Sequence, residues 1–371
     1  MDKQLFSTLF NFQKKSKIKA GDGLILGDGN YPFYTSSDTL TKSLNDYLFE
    51  EESLIFGTGG KASVHYCNSK FAVSTDCFVC QPKSKADTFA KYVFYYLSGN
   101  IHLLEEGFKG AGLKHISKDY LSNLKIPLPS LDTQKKIAAI LDAADKLRQL
   151  DKKLIEKYDA LTQSLFLDMF GDPVSNPKSW KKIPMSNLMK IVRGGSPRPI
   201  DNYLGGTYPW IKIGDATKGN DIYLENTKEH IIEAGLKKTR LLPKGSLIFA
   251  NCGVSLGFAR ILTFEGCIHD GWLAFSEIDN KKLNEIFLLK ALNSITRYFR
   301  ETAPDGTQPN LNIAIMSKFE IILPPVELQN KFEKGLFEIE AQKTQAQQSL
   351  QKSEELFNSL LQKAFKGELV Q

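Results

Sequence analysis

The strongest constraint on this chain is an internal repeat. Residues 116–134 (ISKDYLSNLKIPLPSLDTQ) and 311–329 (LNIAIMSKFEIILPPVELQ) align at a constant offset of 195, which puts Ile126 on Ile321, Pro129 on Pro324 and Gln134 on Gln329. Apolar positions coincide too: Leu121 with Met316, Leu124 with Phe319, Leu131 with Val326. The offset still holds at Leu165 and Leu360 and at Phe170 and Phe365, so register persists over about 55 residues. Each copy reads as a short helix or turn, a strand (LKIPL, FEIIL), prolines that stop it, and then a helix. Asp132 or Glu327 sits in the first turn of that helix, near its positive end.

The helices that follow are long. Neither Pro nor Gly interrupts residues 132–170, and Gly171 with Pro173 ends the run. In the second copy, Phe332, Leu336, Ile339, Lys343, Ala346, Leu350, Ser353, Phe357, Leu360 and Ala364 alternate steps of four and three, a heptad seam with polar seats at Lys343 and Ser353. The first copy offers Ile137, Leu141, Ala144, Leu147, Leu150, Leu154, Tyr158, Leu161 and Leu165, whose consecutive three-steps predict a local stammer. At 1.5 Å per residue each helix is roughly 55 Å long. A helix this apolar on one side needs a partner. The expectation is that the two pair antiparallel, from about 132 to 169 and from 328 to 364, with Leu154 and Leu350 in the seam.

Residues 1–115 and 172–310 precede the two repeat copies. They share Ser-Leu-Ile-Phe at 53–56 and 246–249, Tyr-Pro-aromatic at 31–33 and 208–210, and Asp76 and Asp270 at nearly the same distance downstream. Short β-rich runs between Gly, Asn and Asp turns predict an α+β fold. The layout is domain, helix, domain, helix: two β-rich domains joined by two long antiparallel α-helices in a coiled coil, with pseudo-two-fold symmetry. Duplex DNA presents a similar face about every 34 Å, so two different domains held by one coiled coil suit two different half-sites, with the coil setting their spacing.

Composition narrows the function classes. A chain of 371 residues with 42% hydrophobic content supports two to three cored domains. Nothing approaches the roughly 18 consecutive apolar residues of a membrane span. Residues 1–19 lack an apolar signal core, and the five cysteines (Cys67, Cys77, Cys80, Cys252, Cys267) have no framework spacing, so reduced thiols in a cytoplasm are expected. The net charge is +6. Residues 132–170 are neutral and 327–371 carry −1, leaving +2 on 1–131 and +5 on 171–326, where six of the seven arginines lie. Positive charge confined to the two domains is what phosphate contacts require.

Motifs for catalysis are missing. The chain has no Asn/Asp-Pro-Pro-Tyr/Phe sequence to hold a target adenine, and no glycine-rich loop opening a βαβ unit. Residues 56–63 (FGTGGKAS) superficially resemble a phosphate loop, but the glycine spacing is wrong and no helix pattern follows. They suit a basic turn approaching a DNA phosphate. Cys77 and Cys80 alternate on a strand and are expected in the core. His269-Asp270-Gly271-Trp272 reads as a turn rather than an acid–base pair.

IPLPSLDTQKKIAAIL and IILPPVELQNKFEKGL resemble the conserved regions of specificity subunits of type I restriction–modification systems. GGSPRP, YPWIKIGDAT, SLIFANCGVSLGFA, GCIHDGWLAF and GTQPNLNI look like one known type of target recognition domain in that family. Thr133 and Leu328 stand where the family usually has Glu before the glutamine. The resemblance spans essentially the whole chain and is most specific over 194–329. It implies target recognition domains at 1–131 and 171–326, and conserved helices at 132–170 and 327–371. It also implies a subunit without catalysis or cofactor of its own. Its partners would be double-stranded DNA, two adenine-methyltransferase (modification) subunits and a restriction subunit, the partners carrying S-adenosylmethionine, ATP and Mg. Together they would read a bipartite asymmetric site.

Charge and turn chemistry then select DNA-contact candidates. In the first domain these are Tyr34, Ser36, Ser37, Lys61, His65, Lys109, Gly110 and Lys114. In the second they are Arg193, Ser196, Arg198, Lys212, Asn251, Ser255, Arg260, Thr307, Gln308 and Asn310. Arg suits guanine, Asn and Gln suit adenine, and Lys suits phosphates. Two other readings use the same features: a coiled-coil adaptor for protein partners, and a nuclease or methyltransferase with an unrecognised site.

Overall fold

A computed structural model describes residues 3–370 apart from 111, 113, 218, 254 and 303–309. The chain divides into two units, Met1–Leu154 with Gln345–Gln371, and Ile155–Thr344. Two helices, Leu131–Phe170 and Val326–Lys366, each contribute one half to either unit. Their ends follow from local chemistry. Ser130 caps the first by accepting the Thr133 N–H at 3.3 Å. Gly171 stops it with a φ of +76°. The second ends in a Schellman arrangement: Glu368 N–H donates to Lys363 O at 2.9 Å, Gly367 N–H to Ala364 O at 3.3 Å, and Gly367 takes a φ of +81°.

In the first unit, an antiparallel sheet runs Phe10–Phe12, Cys77–Pro82, Ser53–Gly57, Val64–Cys67. A second sheet runs Leu24–Ile25, Lys42–Leu44, Tyr31–Tyr34, Ala72–Val73, the last pair parallel. The core gathers Phe6, Phe10 and Phe56 with Ile137, Leu141 and Ala144 of the first long helix and Phe357, Leu361 and Ala364 of the second. The second helix approaches so closely that a Cβ on Gly99 would lie 2.1 Å from Leu361 Cδ2. Arg148 lies over the Phe357 ring at 3.9 Å, and Ser353 Oγ donates to Asp151 at 2.8 Å.

The second unit repeats this plan. Its first sheet runs Lys190–Arg193, Trp272–Ser276, Leu247–Ala250, Ala259–Leu262, and Tyr223–Leu224 adds a parallel edge. The other runs Glu229–Ile231, Leu204–Ile211, Gly266–Ile268, Arg240–Leu242. Phe166, Phe170, Phe287 and Phe332 form an aromatic cluster with centroids 4.7–5.9 Å apart. Leu165 packs on Gly335, and Lys343 pairs with Asp159. In each unit partner numbers fall as first-helix numbers rise, so the helices run antiparallel.

The repeat reaches further back than the sequence alone revealed. Helices Ala90–Gly99 and Glu285–Ser294 stand at offset 195, as do the capping residues Ser117 and Asn312, whose side chains accept from Tyr120 N–H and Ile315 N–H. Tyr31-Pro32-Phe33 and Tyr208-Pro209-Trp210 occupy equivalent strands, Phe33 pairing with Ala72 and Trp210 with Cys267. One expected equivalence shifts. Gly57 pairs with Cys77 and Ala250 with Trp272, so Asp76 corresponds to Gly271 rather than to Asp270.

The seam on the second helix follows the predicted positions, but the first helix differs. Leu147, Leu150, Leu154 and Leu161 are 50%, 53%, 40% and 49% exposed. The contact line passes instead through Leu141, Ala144, Arg148, Asp151, Thr162 and Phe166. A three-residue step falls about 60° short of a turn, so three in succession leave the contact line. Polar residues fill the even heptad, and the expected stammer is absent from the contact line.

Candidate nucleic-acid interface

In the first unit, two segments converge on the Asp76 carbonyl. It accepts Ser36 Oγ at 3.0 Å, Thr58 N–H at 2.9 Å and Thr58 Oγ1 at 3.0 Å. Gly57 permits this approach, since a Cβ there would lie 2.4 Å from Ser63 Oγ and 3.0 Å from Ser36 Cα. His65 Nε2 donates to Ser37 O at 2.9 Å, and His115 Nδ1 donates to Thr58 O at 3.0 Å. Lys61 is exposed and pairs with Asp38 at 2.7 Å, which holds that carboxyl below its usual range. Lys109, Gly110 and Lys114 are exposed in and beside the ribbon of Phe108–Lys109 and His115–Ile116. Tyr34 is buried against Phe71 and His65, and burial raises its phenol above the usual range. The phosphate-loop resemblance dissolves in a hairpin, because strand Val64–Cys67 follows directly.

In the second unit, the residue before the Asp76 equivalent, Asp270, organises a corner built on charge. Asp270 Oδ1 accepts Ser196 Oγ at 2.8 Å, Oδ2 accepts Arg198 Nη2 at 3.3 Å, and the carbonyl accepts Arg193 Nε at 2.7 Å. Arg240 Nε in turn donates to Arg193 O at 2.9 Å. Burial alone would raise the Asp270 carboxyl, but the Ser196 hydroxyl and the Arg198 guanidinium outweigh it and hold it below its usual range. Burial depresses His269, and its Nδ1 accepts Gly271 N–H at 3.0 Å. The same nitrogen also lies 2.9 Å from Asp270 Oδ1, which ties the imidazole to the turn. Lys212 pairs with Glu229. Ser196, Arg198, Ile200, Trp210, Lys212 and His269 border an open pocket of about 340 Å³.

Several candidates are withdrawn from the surface. Arg260 is buried, its Nη1 donating to Ala259 O at 2.7 Å, its guanidinium 5.6 Å from the Phe258 ring and its pKa lowered by burial. Ser255 is fully buried. Asn251 is also buried: its Nδ2 donates to Asn310 Oδ1 at 3.1 Å, its N–H to Gly271 O at 2.9 Å, and its carbonyl accepts Leu311 N–H at 2.8 Å. Asn251 and Asn310 therefore tether the segment entering the repeat, and the expectation that Tyr34, Asn251, Ser255 and Arg260 contact DNA is corrected. Thr307 and Gln308 lie outside the described residues. Sequence reasoning missed Asp270 and Arg240 as parts of this corner. The Asp in GCIHDGWLAF was visible, but its arginine partners lie more than 70 positions upstream.

Cys77 and Cys80 fall into different core clusters, as strand alternation requires. Burial pushes the Cys77 thiol up to about 11 and Cys80 well above its usual value, the opposite of a reactive thiolate. Among the described residues no group of three or more His, Cys, Asp or Glu side chains is placed to hold a metal ion, and no helix is long and apolar enough to cross a membrane.

The model of the type I restriction modification DNA specificity domain matches residues 7–158 and again 177–356. The chain belongs to this family. Two matches in tandem agree with the duplicated architecture. Among specificity-subunit relatives, that of the Escherichia coli type I restriction enzyme EcoDI is 23% identical over 92% of this chain and 83% of its own length. The MjaVIII specificity subunit of Methanocaldococcus jannaschii is 32% identical over 43% of this chain and 40% of its own. The crystal structure of a type I restriction–modification S subunit from M. genitalium superposes with a TM-score of 0.60 at 17% identity, covering 98% of this chain and 95% of that one. A chain from a study of complex assembly and conformational transition of the type I R-M system gives a TM-score of 0.60 at 16% identity, covering 99% and 98%.

Proposed function

We propose that each β-rich unit of this specificity subunit reads one half of a bipartite asymmetric DNA site, and that the chain directs adenine methylation and restriction by partner subunits without chemistry of its own. One observation carries this reading. The same scaffold, twice over, ends in two differently built corners: hydroxyls and backbone groups around Asp76, arginines around Asp270. Equal scaffolds with unequal corners suit unequal half-sites. Two methyltransferase subunits and a restriction subunit are the partners, holding S-adenosylmethionine, ATP and Mg, and the setting is cytoplasmic. The complex-assembly context of one solved relative supports the partner subunits.

Fluorescence anisotropy with randomised duplex tests it. With roughly six phosphate contacts, log K for the full chain falls with log salt at a slope near −5. Lys61→Ala weakens binding to all sequences alike, and addition of the methyltransferase subunits tightens it. Affinity independent of salt, or absence of duplex binding with the partners present, refutes the reading.

A further inference from the structure

Asp270 stands at the centre of the charged corner without being its most exposed member. Its carboxylate is about one-third exposed, while the Arg198 side chain it holds is 77% exposed. Two chain segments meet on it: residues 193–198 bring Arg193, Ser196 and Arg198, and the turn at 269–271 brings the acceptors. Arg193 is tethered through Nε alone, and its two terminal nitrogens make no hydrogen bond among the described residues. A guanidinium fixed at Nε presents its outer fork in one direction, the geometry that matches guanine O6 and N7. Arg198 spends one terminal nitrogen on Asp270 and keeps the rest of its donors. The first unit cannot build such an arrangement, because residues 1–131 contain no arginine.

We propose that Asp270 is a positioning residue for base reading by the second unit, orienting Arg193 through its carbonyl and Arg198 through its carboxylate so that both face a guanine edge. The inference rests on the DNA-reading function proposed above. Its physical core is preorganisation: a long Arg side chain held before binding loses less rotamer freedom on contact, and a held fork rejects bases that do not match it. Asp270 also sets a negative charge beside the duplex, which opposes phosphate binding in general while sharpening one base contact.

The test is selection from a randomised duplex library by the full chain with its methyltransferase partners, comparing wild type, Asp270→Asn, Arg193→Ala/Arg198→Ala, and the triple variant. Asn still accepts from Ser196, so the turn is retained while the charge that holds Arg198 is lost. In Asp270→Asn, preference for guanine in the half-site read by the second unit falls on the order of tenfold. The other half-site keeps its preference, and affinity for random duplex stays equal or rises. In the double-arginine background the same substitution adds no further loss of preference. Unchanged preference in Asp270→Asn overturns the inference and leaves DNA reading intact. Parallel loss across both half-sites, with a lowered melting temperature, assigns Asp270 a merely structural role and overturns it too. If the wild type itself enriches no sequence, the functional reading fails and takes the inference with it.

Discussion

Gln134 and Gln329 perform the same task 195 residues apart. Each is fully buried. Gln134 Oε1 accepts Phe89 N–H at 2.9 Å, and its Nε2 donates to Asp87 O and Pro129 O at 2.9 and 2.8 Å. Gln329 Oε1 accepts Asn284 N–H at 2.8 Å, and its Nε2 donates to Lys282 O and Pro324 O at 2.9 and 2.7 Å. One amide thus locks the start of a long helix to the start of a core helix and to the proline turn. Only a side chain with one acceptor and two donors at that reach satisfies all three groups. Replacing either by Ala leaves buried backbone groups unpaired and costs about 2–3 kcal/mol. Calorimetry of Gln134→Ala and Gln329→Ala therefore shows melting lowered by on the order of 5–10 °C. A loss below about 2 °C in both means that water replaces the amide. The repeat made these glutamines visible in sequence, but their partners at 87–89 and 282–284 share no residue identity. What is repeated there is backbone, which leaves no trace in side-chain identity.

The long helices show how an element can be right while its face is wrong. Their existence, length and direction follow from the absence of Pro in both and of Gly in the first, the terminal signals and the heptad of the second copy. The face of the first does not follow from its leucines, because Arg148, Asp151 and Thr162 occupy the contact line. Arg148 covers an aromatic ring with its guanidinium, and Asp151 accepts a serine hydroxyl, so these two polar groups arrive with partners. Mutagenesis separates the two lines. Leu141→Asp and Leu336→Asp bury an unpaired carboxylate and cost several kcal/mol, enough to prevent cooperative folding. Leu150→Asp and Leu154→Asp stay within about 0.5 kcal/mol of wild type. Urea denaturation reads both, and a collapse caused by Leu154→Asp restores the leucine seam.

Across the whole molecule, duplication with divergence predicts modular specificity. Replacing residues 172–310 with those of a family member that reads another site changes one half of the methylated sequence and leaves the other half and the spacer as they were. The scaffold on either side of the exchange, the strand–proline–glutamine joint and the long helix, is retained. Long-read methylation mapping in cells carrying the partner subunits reports both halves at once. A change in both halves after this single exchange means that the units do not read independently.

The amino-acid sequence alone determined the duplication, the order of domains and helices, and the family. Each of these is written in periodicity, in prolines and glycines at element ends, or in motifs whose spacing is local. Tertiary structure decided which candidate side chains reach the surface. It buried Asn251, Ser255 and Arg260, set Asp76 opposite Gly271 rather than Asp270, and gathered Arg193, Arg198 and Arg240 around one turn. A strand's register and the face it turns inward depend on neighbours far away in the chain. A shift of one residue reverses every side chain, and nothing in the strand's own sequence records which neighbour it meets.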